Sequence, residues 1–291
     1  MFPNSGEPST SVIFPVPEEL RISHCGKLAS LPESMTLGSF PSLVRLNIGL
    51  LADVAVALES QQKQGQRPLD SLCSLGLEGD DGFASIFNSF KLQIGLESCL
   101  AFVEDLCISE CCNIVNWPVE ELQHFPCLRY LHMFSCAKLD GKGPSSKEIL
   151  PLPQLETLFI SNCHSLLEIP ILPASLEQMG ISLCKSLAAL PSGLGNLKCL
   201  VMGFCCNLNP LPDGLNSLEN LKIDHCPGIE KFPRDLVQRL PALKVLSISG
   251  CPDLQRRCRQ GGEYFDLVSS IPCKCIPFPA AIDPNMKEIL N

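Results

Sequence analysis

The sequence predicts an α/β solenoid, a stack of short parallel strands joined by irregular or single-turn helical returns. Three observations predict it. A frame written LxxLxIxxCxxLxxLP recurs in ten copies along the 291 residues. Inside the frame, LxI places its two apolar residues on one side of an extended chain and the middle residue on the other. Finally, apolar residues make up 45% of the chain but aromatics only 6%, which suits thin aliphatic layers better than one globular centre.

The frame is plainest in three phrases. LETLFISNCHSLLEIP begins at Leu155, LEQMGISLCKSLAALP at Leu176 and LENLKIDHCPGIEKFP at Leu218. Looser copies lie around Leu20, Leu46, Leu75, Leu106, Leu131, Leu200 and Leu246. The aligned cysteine position is filled by Cys25, Leu51, Asp80, Cys111, Cys136, Cys163, Cys184, Cys205, Cys226 and Cys251. Eight of ten are cysteine, where ten random positions in a chain with 18 cysteines among 291 residues would average fewer than one. Spacings run from 21 to 31 residues, and from Cys163 to Cys226 they are uniformly 21. A fixed period of this size is the signature of a solenoid.

The alternation explains the architecture. One short strand cannot bury its apolar face alone, but parallel strands stacked about 4.8 Å apart share a continuous ridge and pair each other's backbones. The xxLxxLP half spaces its apolar residues by three, which fits a tight return stopped by proline. That return takes more room than the strand, so the stack is expected to curve with the sheet on its concave side. The repeated cysteine sits where the chain leaves the strand and turns inward. A small, apolar, weakly donating side chain suits a buried ladder there. Stacked side chains keep their Cβ atoms near the strand spacing, too far apart for an ordinary disulfide, so free thiols are expected.

The expected organisation is an extension over 1–16, a repeat domain over 17–265 and a tail over 266–291. An irregular insert falls near 50–70, where LLADVAVALESQQKQGQRPLD suggests a short helix and an exposed loop. The stretch from Asp80 to Leu100 reads as irregular, with Asp80-Asp81 as a turn, and LDGKGPSSKEIL as a surface loop. The polar, basic segment after Cys251 reads as a cap on the open end of the stack.

Chemistry-bearing patterns are scarce. There is no GxxxxGK[ST], HExxH, GxSxG or CxxC. His24-Cys25, Cys163-His164 and His225-Cys226 are adjacent pairs, but neighbours on extended backbone point apart. The expectation is therefore no catalytic residue, no metal and no cofactor. A net charge of −9 argues against tracking a nucleic-acid backbone. No apolar run is long enough to span a bilayer. The first residues, MFPNSGEPSTSV, carry no signal-peptide pattern, and no N-x-[ST] acceptor occurs, so a reducing cytoplasmic setting is expected.

The outward strand residues are then the functional candidates. They include Arg21, Ser23, Asp105 and Ser109 at one end and Ser247 and Ser249 at the other. The partner-facing set is Tyr130, His132, Phe134, Thr157, Phe159, Gln178, Asn220, Lys222 and Asp224. Large aromatics pushed to the solvent side of a rigid scaffold are good anchors for a protein partner.

These residues resemble a known family. The phrases LETLFISNCHSLLEIP and LENLKIDHCPGIEKFP, with LKVLSISGCPDLQRRCRQGGEYF at 243–265, are similar to the C-terminal leucine-rich-repeat region of plant coiled-coil, nucleotide-binding disease-resistance receptors. The resemblance covers about 17–265. It implies a protein–protein recognition surface for a pathogen effector or a host partner, and an autoinhibitory contact with a nucleotide-binding module. The family's phosphate-binding loop is not in this sequence, so ADP binding is carried over to no residue. A standalone leucine-rich-repeat adaptor, resembling a ubiquitin-ligase substrate receptor, is the alternative.

Overall fold

An LxI strand with one apolar side is stable only when that side meets another like it, and the chain satisfies this condition by repetition. The computed structural model describes residues 17–22, 42–49, 71–91, 100–142, 149–239 and 242–277. They form eleven strands: β1 Glu19–Ile22, β2 Arg45–Gly49, β3 Ser74–Glu78, β4 Asp105–Ser109, β5 Tyr130–Phe134, β6 Thr157–Ser161, β7 Gln178–Ser182, β8 Cys199–Gly203, β9 Asn220–Asp224, β10 Val245–Ser249 and β11 Cys273–Cys275. The strands lie in one sheet in sequence order. Every pairing is parallel and in step, so that Leu131 faces Leu158, Leu158 faces Met179 and Met179 faces Leu200.

Two buried columns result. One contains Leu46, Leu75, Leu106, Leu131, Leu158, Met179, Leu200, Leu221 and Leu246, and the other runs from Ile48 to Ile248; none of their members is more than 2% exposed. Each added strand removes two such side chains from water, roughly 3–6 kcal/mol of hydrophobic stabilisation before ordering costs. The result is an α/β solenoid-like sheet whose apolar spine extends to β10.

The exit from each strand is built the same way. The residue before the repeated cysteine is left-handed in Glu110, Ser135, Asn162, Leu183, Phe204 and His225, with φ between 49° and 58°, and in Gly250 at 62°. That turn aims the six non-glycine amides at the fifth residue of the following strand. They donate to the carbonyls of Phe134, Ser161, Ser182, Gly203, Asp224 and Ser249 at 2.8–3.0 Å. This conformation costs an L-residue roughly 1–2 kcal/mol, and the inter-repeat hydrogen bond offsets it.

The cysteines follow. Cys111, Cys136, Cys163, Cys184, Cys205, Cys226 and Cys251 are each at most 1% exposed. Each thiol donates to the carbonyl two residues earlier, at 3.2–3.6 Å. Three residues on, the amides of Leu139, Leu166, Leu187, Leu208 and Ile229 close a single turn onto the carbonyls of Cys136, Cys163, Cys184, Cys205 and Cys226 at 3.1–3.3 Å. All sixteen described cysteines are free thiols. Cys25, the remaining rung of the expected ladder, lies outside the described residues, as do Ser23 and the insert at 50–70.

Two segments differ from the sequence reading. Asp80 and Asp81 do not make a turn; they open α1, Gly79–Lys91, where acidic residues suit the positive end of the helix dipole. Asp80 Oδ1 accepts the Asn113 amide at 2.7 Å. Helix α1 adds Ile86 and Phe87 to the core, with the Phe87 ring edge-on to Phe125 at 6.2 Å. A short α2, Val119–Leu122, follows Trp117, whose indole N–H donates to the Glu168 carbonyl at 3.1 Å.

The second difference is at the C-terminal end, where the sheet continues past the expected boundary at 265. After α3, Arg234–Arg239, and β10 come α4, Pro252–Arg257, and α5, Phe265–Ser269, before β11 pairs with β10. Gln255, 4% exposed, serves as the cap. Its side-chain oxygen accepts the Cys251 amide at 3.1 Å, and its NH2 donates to the Pro277 carbonyl. Tyr264 closes the end of the core against Phe232, ring centroids 5.3 Å apart.

Two outcomes are expected from this packing. Leu183→Gly should change unfolding free energy in urea by less than about 1 kcal/mol, because relief of the left-handed backbone offsets glycine's entropy. Gly250→Ala should cost about 1–3 kcal/mol, since its Cβ would lie 2.6 Å from the His225 ring at positive φ. Equal effects would contradict the row. Separately, burial pushes the Cys184 and Cys258 thiols from an ordinary 9.0 up to about 12. Unfolded thiols ionise above about pH 9 while these stay protonated. Their contribution to stability is therefore complete below pH 9 and lost as pH rises toward 12. Urea midpoints between pH 8 and 11 should fall more steeply for the native protein than for Cys184→Ala.

Candidate recognition surface

The first, third and fifth residues of each strand form three columns on the sheet face opposite the spine. Their chemistry varies from strand to strand, unlike the columns beneath. In the central column Cys107, His132, Phe159, Gly180, Val201 and Lys222 stand side by side.

The densest feature is a stack of rings. His132 lies nearly parallel to Phe159, 5.4 Å between centroids at 9°, and against Phe134 at 5.9 Å and 23°. The Phe159 ring leans over Gly180, where a Cβ would come within 2.2 Å of its Cδ1. Glycine at 180 thus lets the ring lie down on the sheet while 36% of Phe159 stays exposed. Asp105 holds the other side of the imidazole, with Oδ1 3.5 Å from His132 Nε2, while its Oδ2 accepts from Ser74 Oγ at 3.2 Å. Tyr130, half-buried, carries the Arg129 guanidinium 5.5 Å above its ring.

Charged residues border the face where the chain enters the strands. Arg129 makes a two-pronged contact with Glu156 at 3.0 and 2.9 Å and lies 3.6 Å from Glu104. Lys198 meets Glu177, and Lys244 meets Glu219, each at 2.7 Å. The Glu156 hydrogen bond raises the Arg129 pKa, and the Glu177 hydrogen bond raises that of Lys198. These exposed pairs add little stability, but they occupy one another and leave that border without an open charge.

The expected partner-facing residues fare unequally. His132, Phe134 and Phe159 come together in the ring cluster, whereas Tyr130 meets the Arg129 guanidinium. Gln178 and Lys222 are exposed, Asn220 is half-buried, and Asp224 Oδ1 bonds His225 Nδ1 at 2.9 Å. Thr157 is a correction: it is only 3% exposed. Its strand places it in register between Tyr130 and Gln178.

Three solvent-facing apolar residues were not among the sequence candidates. Val201 on β8 is 36% exposed, and Leu183 and Phe204 in the left-handed row are 37% and 45% exposed. Phe204 stacks on His225 at 4.7 Å and 3°. Val201 is legible from strand parity alone. Leu183 and Phe204 are not, because strand alternation carried one residue past the strand would turn them inward unless their φ is known.

Burial, followed by the Asp105 and Glu78 charges, pushes the face thiol of Cys107 up to about 11, away from nucleophilic range. His164 and His225, each beside a ladder cysteine, turn outward to the Leu183 carbonyl and to Asp224, while Cys163 and Cys226 point into the core. Among the described residues, no three His, Cys, Asp or Glu side chains converge as a metal site, and no helix is long and apolar enough to cross a membrane. Two clefts lie off the face. One of about 460 Å³ is lined by Asp81, Phe83 and Trp117, and one of about 570 Å³ by Arg234, Glu263 and Tyr264.

The arrangement can grip a partner by shape and ring contact. If Phe159 lies on Gly180 as described, Gly180→Ala must lift the ring away from His132. The His132 ring protons should then shift downfield in a proton NMR spectrum as they leave the Phe159 ring current, with the fold retained by circular dichroism. Unmoved His132 resonances would contradict this packing.

No protein-family model matches the chain, and no curated protein matches it either.

Proposed function

We propose that this chain is a leucine-rich-repeat solenoid of the plant disease-resistance receptor type, in which the open sheet face recognises a protein. The observation that carries the proposal is the ring cluster on a uniformly registered sheet, with Phe159 exposed and His132 and Phe134 half-buried beside it. Aromatic side chains fixed in place lose little conformational freedom on binding, which is why they dominate interface energetics. The sequence frame and the CPDLQRRCRQGGEYF segment support the family reading, with about ten repeats and the sheet on the concave side. On this reading the partner is a pathogen effector or a modified host protein. A nucleotide-binding module outside these 291 residues is held inactive by the same protein in the cytoplasm. The chain acts by differential binding and not by catalysis, so a partner's effect equals its difference in affinity for the two states of the switch.

The test is co-expression of this chain with the nucleotide-binding module of a plant resistance receptor whose repeats carry the same frame. The expected result is co-precipitation and suppression of the module's cell-death activity, with Phe159→Ala lowering retention about tenfold or more. Absence of both association and suppression would overturn the receptor assignment.

A further inference from the structure

Beyond the ring cluster, the open face has a second part whose chemistry specifies what it receives. We infer that the docking surface continues from Phe159 across Val201 onto a ridge formed by Leu183, Phe204 and His225. We further infer that its occupant is a protein segment with an apolar side chain beside a carboxylate, the carboxylate meeting Lys222. This rests on the recognition reading above and names the partner's chemistry.

Three observations carry it. First, Leu183 and Phe204 combine two unfavourable conditions, positive φ of 55° and 54° and exposures of 37% and 45%. The turn itself asks for nothing apolar: the equivalent positions hold Ser135, Asn162 and Gly250 in other repeats. The positive φ belongs to the turn, so it is the exposed apolar side chain that the local fold leaves unexplained, and contiguous exposed apolar surface marks interaction sites. Phe204 is also set in place, because it lies flat against His225, whose Nδ1 is bonded to Asp224.

Second, the charges leave only one route. From β5 to β8 the twelve open-face positions contain no Asp, Glu, Lys or Arg. The border where the chain enters these strands is closed by the Arg129, Lys198 and Lys244 ion pairs. At the opposite border the uncharged window runs into Leu183 and Phe204. Apolar surface therefore extends over the strand exits and not over their starts. Gly180, Ser182 and Gly203 make the floor between the ring cluster and the ridge shallow, with Gly180 buried beneath Phe159.

Third, Lys222 borders this window on β9 and is exposed. Among the described residues it is the one cation on the open face of β4–β10 with no carboxylate within ion-pair distance. Asp224, its neighbour on the strand, is already engaged by His225. An unpaired ammonium beside uncharged apolar surface favours a ligand carrying the opposite charge next to an apolar group, and disfavours a basic one.

The probe is a random heptapeptide library displayed on phage and panned on the immobilised full chain, with enriched peptides resynthesised and their Kd values measured by fluorescence anisotropy. The expected enrichment is Asp or Glu adjacent to Phe, Trp, Leu or Ile. Leu183→Asn with Phe204→Asn, which keeps a residue tolerant of positive φ, should weaken these peptides about tenfold. Lys222→Glu should weaken them about as much, and only for peptides that retain the acid. Enrichment of basic peptides, or peptides indifferent to both changes yet lost on Phe159→Ala, would overturn this inference while leaving the recognition face standing. No enrichment above uncoated surface, or peptides indifferent to Phe159→Ala as well, would remove both.

Discussion

Everything in this protein depends on a strand too short to stand alone. Five residues present two apolar side chains to one side and a row of unpaired amides and carbonyls to each edge. Neither is tolerable without a parallel neighbour in the same register. Strands β1 to β10 meet this condition together, with β11 adding backbone alone, and it demands strict uniformity beneath the sheet. A polar residue in either buried column would damage the contacts of the strands on both sides. The columns are accordingly Leu, Ile and Met almost throughout, and the seven stacked thiols continue the uniformity into the turn.

Uniformity below permits variety above. The face columns obey no rule beyond parity, so Cys107, His132, Phe159, Gly180, Val201 and Lys222 can sit side by side. Interaction between neighbours then decides what each presents. Phe159 can lie flat because Gly180 yields the space, and His132 stacks against it with the Asp105 carboxylate 3.5 Å from Nε2. The paired charges along the strand starts contribute in a different way. By neutralising one another they leave the ring cluster and the ridge as the surface with unmet interactions.

The spine was legible in the sequence because it is periodic: LxI and the aligned cysteines mark each strand, its inward residues and its exit. Features that depend on neighbours were not legible. Thr157 has the parity of a surface residue but is buried, in register between Tyr130 and Gln178. The left-handed row has no uniform signature: Asn162, His225 and Gly250 are residue types enriched at positive φ, but Glu110, Ser135, Leu183 and Phe204 are not. The helix at Gly79–Lys91 begins where an aspartate replaces the repeated cysteine, and an acidic pair after glycine reads equally well as a turn or a helix start. Strand β11 lacks the frame altogether: its CKC supplies backbone for β10 to pair with and no Leu or Ile for the spine.

The even 21-residue spacing from Cys163 to Cys226 gives these repeats interchangeable interiors. Excising one such unit, from Ser175 to Gly195 for example, would join Met133, Ile160 and Met202 into the same buried column with no cavity and no change of register. The outside would be rearranged, because Phe159 would then abut Val201, whose branched side chain denies it the place it takes over Gly180. Gain or loss of a whole unit can therefore rearrange the outer surface in one step while leaving the interior intact.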